Sequence, residues 1–221
     1  MMLSRTLLLA LLLPVAGCQS LSGSAPPGGP SERLQGHVQL ADGRLYLHGC
    51  RGERRLQLDD QAGTGLPDDA LSLLVDGDDR LYADVRGTLS QPAAGGSGRL
   101  ALSRVYRLQR EGHGCEEANF DRLLLRASGN EPDWTITVTS RGLLLARPGQ
   151  PLVALPYLEE QLPAGRFNLS SEANELRLEL WLSPQRCVDS ASGTVSHLAA
   201  ELRLDGRILR GCAYYGAARD D

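Results

Sequence analysis

The sequence contains no lysine; all 23 basic residues are arginine. That absence excludes a P-loop nucleotide site, Schiff-base chemistry and a lysine general base. Aromatic residues are scarce at 5 %, and only four histidines are spread over 221 residues. Set against 27 acidic residues, the arginines leave a net charge of −4, which argues against a basic face for nucleic acid. There is no Gly-x-Ser-x-Gly elbow and no Cys-x-x-Cys pair. The apolar run over residues 6–13 is far shorter than the roughly 20 residues of a membrane span. What remains is a chain long enough for one domain or two small ones.

Residues 1–17 read as an export signal, with Arg5 as the positive segment ahead of the apolar run. The ending Val15-Ala16-Gly17-Cys18 resembles the lipobox of bacterial lipoproteins. The resemblance implies that Cys18 is acylated, palmitate being an expected chain, and becomes the mature N-terminus. Two or more acyl chains give stable anchoring where one is marginal. By the same resemblance, to Gram-negative lipoprotein sorting, Gln19 in place of an Asp implies the outer membrane, facing the periplasm. Residues 18–33 are rich in Ser, Gly and Pro and are expected to form a tether.

Four further cysteines remain: Cys50, Cys115, Cys187 and Cys212. An even number in an oxidising compartment implies a disulfide framework, for which four cysteines allow three connectivities. Chain entropy gives each loop roughly 3.5–4.5 kcal/mol and does not choose among them. A division of the chain into halves does choose, because Cys50–Cys115 and Cys187–Cys212 each stay within one half.

That division follows from the pattern. Short alternating runs at 34–40, 44–49, 53–58, 81–89 and 99–108 read as strands, with a strong turn signal at Asp42-Gly43. Residues 67–75 open with a proline and two acids and read as a short helix. Beyond Cys115, strands are expected at 122–127, 133–139, 143–146, 167–169, 175–182, 194–204 and 207–211. No βαβ spacing occurs, so the expected class is all-β, with two small antiparallel barrel or sandwich domains. The expected domains are 34–117, OB-like with one helix, and 118–215, followed by a tail at 216–221.

Gly129-Asn130-Glu131-Pro132 with Trp134, then Cys187-Val188-Asp189 with Ser192, then the closing Gly211-Cys212-Ala213 carry a resemblance. They are similar to an uncharacterised bacterial envelope lipoprotein family with GNEP-x-W, C-x-D-x-x-S and GCA motifs. Asp133 stands where that family has an aromatic, and Ala191 where Met is usual. The first half, with its short helix and the run to Val85-Arg86-Gly87, resembles the OB-like domain of NlpE-type lipoproteins. Those are linked to copper tolerance and surface sensing. The resemblance implies a periplasm-facing lipoprotein and supplies no catalytic activity.

Three constellations carry possible chemistry. His48-Gly49-Cys50 and His113-Gly114-Cys115 repeat one tripeptide. On strands, positions i and i+2 share a face, so a Cys50–Cys115 bridge brings the imidazoles towards each other. Reduced, the four side chains make a Cys2His2 set for Zn or Cu(I); oxidised, they leave a structural bridge, the favoured reading. Asn130, Glu131 and Trp134, approached by Asp189 and Ser190, form the candidate ligand-binding set. A Glu facing an Asp can do acid–base work. The plainer reading makes Asn-Glu-Pro a turn, Trp134 core and Asp189 a cap for backbone N–H groups. Ser192, His197 and Asp189 have the letters of a hydrolase triad but fall within nine residues, where triad members come from separate elements. Arg51, Arg54 and Arg55 suit a solvated turn, or contact with anionic headgroups or peptidoglycan carboxylates.

The expectation is therefore a lipid-anchored, non-enzymatic binding or stress-sensing module with no cofactor and an envelope protein or peptidoglycan as partner. Alternatives are a copper- or zinc-handling lipoprotein using His48 and His113, and an inhibitor of a wall-lytic enzyme such as lysozyme.

Overall fold

At Asp42-Gly43 the chain reverses with φ of +51° and +70°, the geometry of a two-residue hairpin turn whose twist matches its strands. The computed structural model describes residues 29–52, 54–74, 80–90 and 98–219. The turn joins β1 (Ser31–Ala41) to β2 (Arg44–Gly49), which pairs in turn with β3 (Arg55–Asp59). Helix α1 (Leu66–Leu74) follows, starting one residue earlier than the sequence suggests; the expected last residue, Val75, lies outside the described residues. Its start is held by Asp60, whose carboxylate accepts from the N–H groups of Thr64 (2.8 Å) and Gly65 (3.1 Å). Leu66, Ala70 and Leu73 recur at helical spacing and enter the core.

β4 (Leu81–Ser90) lies against β1, and β5 (Gly98–Gln109) against β4. β5 then runs parallel to β3, with Leu56 opposite Gly98, so the order β3-β2-β1-β4-β5 closes on itself. A five-stranded barrel with a helix between its third and fourth strands is the OB-like form expected. Two bulges in the β4–β5 pairing bend it, and at one of them Gly87 lets the Ala101 carbonyl within 2.5 Å of where a Cβ would stand. Val38, Leu47, Leu81, Val85, Leu100 and Leu108 fill the interior, each worth about 2 kcal/mol of burial.

The second half is a meander: β6 (Leu123–Asn130), β7 (Asp133–Thr139), β8 (Gly142–Ala146), β9 (Val153–Leu155), β10 (Leu158–Gln161), β11 (Phe167–Ala173), β12 (Leu176–Val188), β13 (Val195–Leu204) and β14 (Arg207–Tyr215). β14 pairs back onto β6, so the meander comes round on itself. Only Pro156 and Tyr157 separate β9, which pairs with β8, from β10, which pairs with β11. Alternation in β12 matches expectation: Leu178, Leu180 and Leu182 are buried, while Trp181 lies on the other face with Glu179 and beneath the Arg203 guanidinium.

Several expectations need correction. β9 and β10 carry no alternating signal, being short, flanked by Pro151 and Pro156, and in β10 exposed throughout. β1 begins at Ser31, so the last residues of the expected tether are strand. The expected tail is folded as far as Arg219: Gly216 N–H donates to Leu124 O (3.1 Å), and Arg219 bonds Glu159 at 2.7 and 3.1 Å. The leader, Cys18, Gln19, Glu53 and residues 91–97 lie outside the described residues.

The two barrels share one sheet. β13 pairs with β5 through Val195–Leu108 and Ser196–Arg107. The cores interlock as well, because Val195 enters the first and Tyr106 the second. Polar groups complete the seam. Asp84, fully buried, accepts from Arg33 Nε (2.9 Å), Arg33 Nη2 (2.6 Å) and Gln35 Nε2 (3.1 Å). The same Arg33 donates across the seam to the carbonyls of Tyr215 (2.7 Å) and Gly216 (2.9 Å) and stacks on Tyr106 at 3.9 Å. Beside it, buried Arg107 meets Glu117 at 3.2 Å, Glu117 meets Arg126 at 2.8 Å, and Arg107 lies over Tyr214 at 4.0 Å. Buried charges persist only when paired and hydrogen-bonded, so this seam holds the barrels in one geometry.

Candidate functional site

Both disulfides have the sequential connectivity: Cys50–Cys115 and Cys187–Cys212. The first fixes the linker between barrels to the end of β2. The second joins β12 to β14 across β13. Because Cys50 and Cys115 are bridged, their thiolates are not metal ligands. His48 faces His37 across the β1–β2 pair, whereas exposed His113 precedes a 3-10 turn at Gly114–Glu116. The i, i+2 argument for the second tripeptide therefore fails, since His113 is not on a strand. Among the described residues, no three His, Cys, Asp or Glu side chains stand together to hold a metal.

The three motifs of the second half converge. Cys212 and Ala213 on β14 pair with Ser128 and Ala127 on β6, and Asn130 Nδ2 donates to Asp189 Oδ2 at 2.8 Å. Glycine is required where β6 and β14 meet: a Cβ on Gly211 would stand 1.9 Å from Ser128 O. Asp189 Oδ1 accepts from the N–H groups of Ala191 (3.1 Å) and Ser192 (2.8 Å) and from the Ser192 hydroxyl (2.8 Å). Burial alone would raise its carboxyl pKa; these hydrogen bonds outweigh burial and hold it below the ordinary value. Asp189 is thus an ionised cap and not a proton donor at neutral pH.

Glu131, in the β6–β7 turn before a cis Pro132, is exposed, as is Ser190. Trp134 is 2 % exposed and belongs to the core, its indole fitting over Gly129. Ser192 donates to Asp189, while His197 turns to the Tyr106 carbonyl, so the triad letters are not assembled.

A further cleft lies at the seam, where sequence reasoning did not place one. A cleft of about 540 Å³ is walled by β5 (Ser103, Arg104, Val105) on one side and by β12, β13 and Tyr215 on the other. β12 loses its register with β13 between Pro184 and Cys187, and this bulge turns Gln185 and Arg186 into the cleft wall. The Cys187 bridge begins at the next residue and fixes the bulge in place. Arg186 reaches across to α1, where its guanidinium forms a two-point pair with Asp69, with Nε to Oδ2 at 3.2 Å. The one local signal for this feature is a Pro-Gln pair breaking an otherwise regular strand.

The His197 ring lines the cleft, edge-on to Tyr106 (5.0 Å) and Tyr215 (4.7 Å). Its Nδ1 lies 3.0 Å from Tyr106 O, and a carbonyl only accepts, so Nδ1 carries the proton. Burial pulls its pKa down to about 4; the Tyr106 hydrogen bond raises it, and the charges of Arg33 and Arg104 lower it further. His197 is therefore neutral at pH 7.

Comparisons with family models, with curated proteins and with solved structures yield no match.

Proposed function

We propose that the protein is an outer-membrane-anchored, periplasm-facing lipoprotein that acts as a non-enzymatic binding or stress-sensing module, with the inter-barrel cleft as its ligand site. The observation that carries this reading is the cleft itself. It is of small-molecule size, lies between two domains and is built on strands locked by a disulfide and a buried ionic seam. The acid–base alternative loses support, because Asp189 is spent on capping and Glu131 stands in solvent. Anchoring is supported by the leader, by Cys18 and by two bridges that suit an oxidising compartment.

Two measurements test the proposal. Labelled palmitate should enter the full chain and co-sediment with outer membranes, and Cys18→Ala should abolish both. Amide chemical shifts of residues 19–221, titrated with muropeptides, Cu2+, Zn2+ and small organic acids, should move at Ser103, Arg186 and Ser196 for at least one ligand. Shifts confined to other regions, or none at all, would refute the cleft as the site.

A further inference from the structure

The cleft carries charge against the grain of the chain. Acids outnumber bases overall, 27 to 23, yet among the described residues the cleft lining holds two guanidiniums, Arg104 and Arg186, and one carboxylate, Asp69, which is paired with Arg186. His197, held neutral first by burial and then by the charges of Arg33 and Arg104, adds no charge of its own. The rest of the lining is largely apolar and aromatic: Val105, Pro184, Val195, Tyr215 and His197. Thr64, Ser103 and Ser196 complete the lining, with the Ser103 hydroxyl donating to Arg86 O at 3.2 Å.

Arg186 is the element that can exchange partners. It sits on a bulge, not in the ladder, its side chain is 56 % exposed, and its partner Asp69 comes from the other barrel. A guanidinium presents the same two-pronged face to any planar anion. An anion entering the cleft meets Arg186 in competition with Asp69.

We infer that the cleft binds a small monoanion with an apolar body, an alkyl or aryl carboxylate or sulfonate, whose charge takes the Asp69 place on Arg186 and whose body lies on Tyr215 and Val105. This rests on the reading of the cleft as the ligand site. Asp69 is then a built-in competitor, which sets opposite signs for two substitutions on one ion pair. Arg186→Gln weakens binding, and Asp69→Asn strengthens it. Loss of a fold that the pair maintains would move both in the same direction.

The test uses residues 19–221, which contain both cores and the whole seam. The probe is 8-anilinonaphthalene-1-sulfonate, an aryl monoanion, with N-phenyl-1-naphthylamine as its uncharged counterpart. The expected result is one saturable site per chain. Affinity should fall about tenfold in Arg186→Gln and rise several-fold in Asp69→Asn, and the uncharged probe should bind at least tenfold more weakly. Decanoate and 2-naphthoate then compete: displacement by the first marks a lipid-derived source, by the second an aromatic acid, and failure of both overturns the ligand class. A third variant, Ser103→Trp, places an indole on the cleft wall and should abolish binding. If it does so while both probes bind alike and the Arg186 and Asp69 changes do nothing, the anion assignment falls and the cleft remains a binding site. If Ser103→Trp leaves the probe bound, the cleft itself is wrong.

Discussion

Lowering the pH from 7 to 4 asks the fold to accommodate a proton that the His197 site is built to refuse. Its ring is wedged between Tyr106 and Tyr215, with Nδ1–H committed to the Tyr106 carbonyl and the charges of Arg33 and Arg104 nearby. In the unfolded chain the imidazole takes a proton near pH 6.5; in the fold, only near pH 4. Between these values the unfolded state binds more protons, so stability rises with pH across that window. The contribution is complete above about pH 6.5 and is lost as the pH falls through 4. At about 1.4 kcal/mol for each pKa unit, it amounts to about 3 kcal/mol. Urea midpoints at pH 7, 6, 5 and 4 measure it, with His197→Phe as the control. Phenylalanine keeps the edge-on ring contacts but forfeits the bond to Tyr106 O, so at pH 7 the variant should be less stable by about 1 kcal/mol. By pH 4 the order should reverse, with the variant ahead by about 2 kcal/mol. Other groups whose pKa is depressed, such as His37 and Asp189, titrate in both proteins and cancel in the difference. A difference that stays constant from pH 7 to 4 would refute the reasoning, as would a His197 proton resonance titrating near 6.5.

Three further outcomes follow from the same geometry. Replacing Cys50 and Cys115 by Ala opens a 65-residue loop and should cost about 4 kcal/mol in denaturant melts, against about 3.5 for the 25-residue loop of Cys187 and Cys212. Arg33→Met leaves the Asp84 carboxylate buried and removes two bonds across the seam, so a loss of about 3–5 kcal/mol is expected, with faster amide exchange at Val195 and Ser196. Asp189→Asn should cost about 1–2 kcal/mol through weakened capping, whereas exposed Glu131→Gln should stay within about 0.5 kcal/mol by calorimetry.

The features legible in the sequence are those set by near neighbours. Leu178, Leu180 and Leu182 must share a face because strand side chains alternate, and Asp42-Gly43 must turn because few other pairs tolerate two positive φ values. Pro67 at the start with Asp68 and Asp69 in the first turn announces the helix locally. β9 and β10 are not legible because each is short and pairs along one side only: β9 gives a three-residue apolar run with no alternation, and β10 is exposed throughout. The approach of Asn130 to Asp189 was readable in outline, as was the plainer reading of Asp189 as a cap; the four hydrogen bonds to its carboxylate decide for the cap over the acid.

The cleft belongs to a different class of information. It exists because β5 and β13 pair over only two residues before diverging, and because Pro184 breaks the register of β12 on the facing side. Neither fact is local: the first joins residues 107 and 196, the second matters only where the other barrel stands opposite. Arg104, Arg186 and Asp69 look in sequence like three ordinary surface charges among fifty. They become a site only when the two barrels are locked together by Arg33, Asp84 and the Arg107–Glu117–Arg126 cluster. That dependence explains why buried ions occupy a seam that hydrophobic contacts could have filled. Apolar surfaces tolerate sliding, whereas an Arg33 guanidinium held by Asp84 on one side must meet the carbonyls of Tyr215 and Gly216 on the other, and Arg104 and Arg186 face each other across the arrangement that this contact fixes.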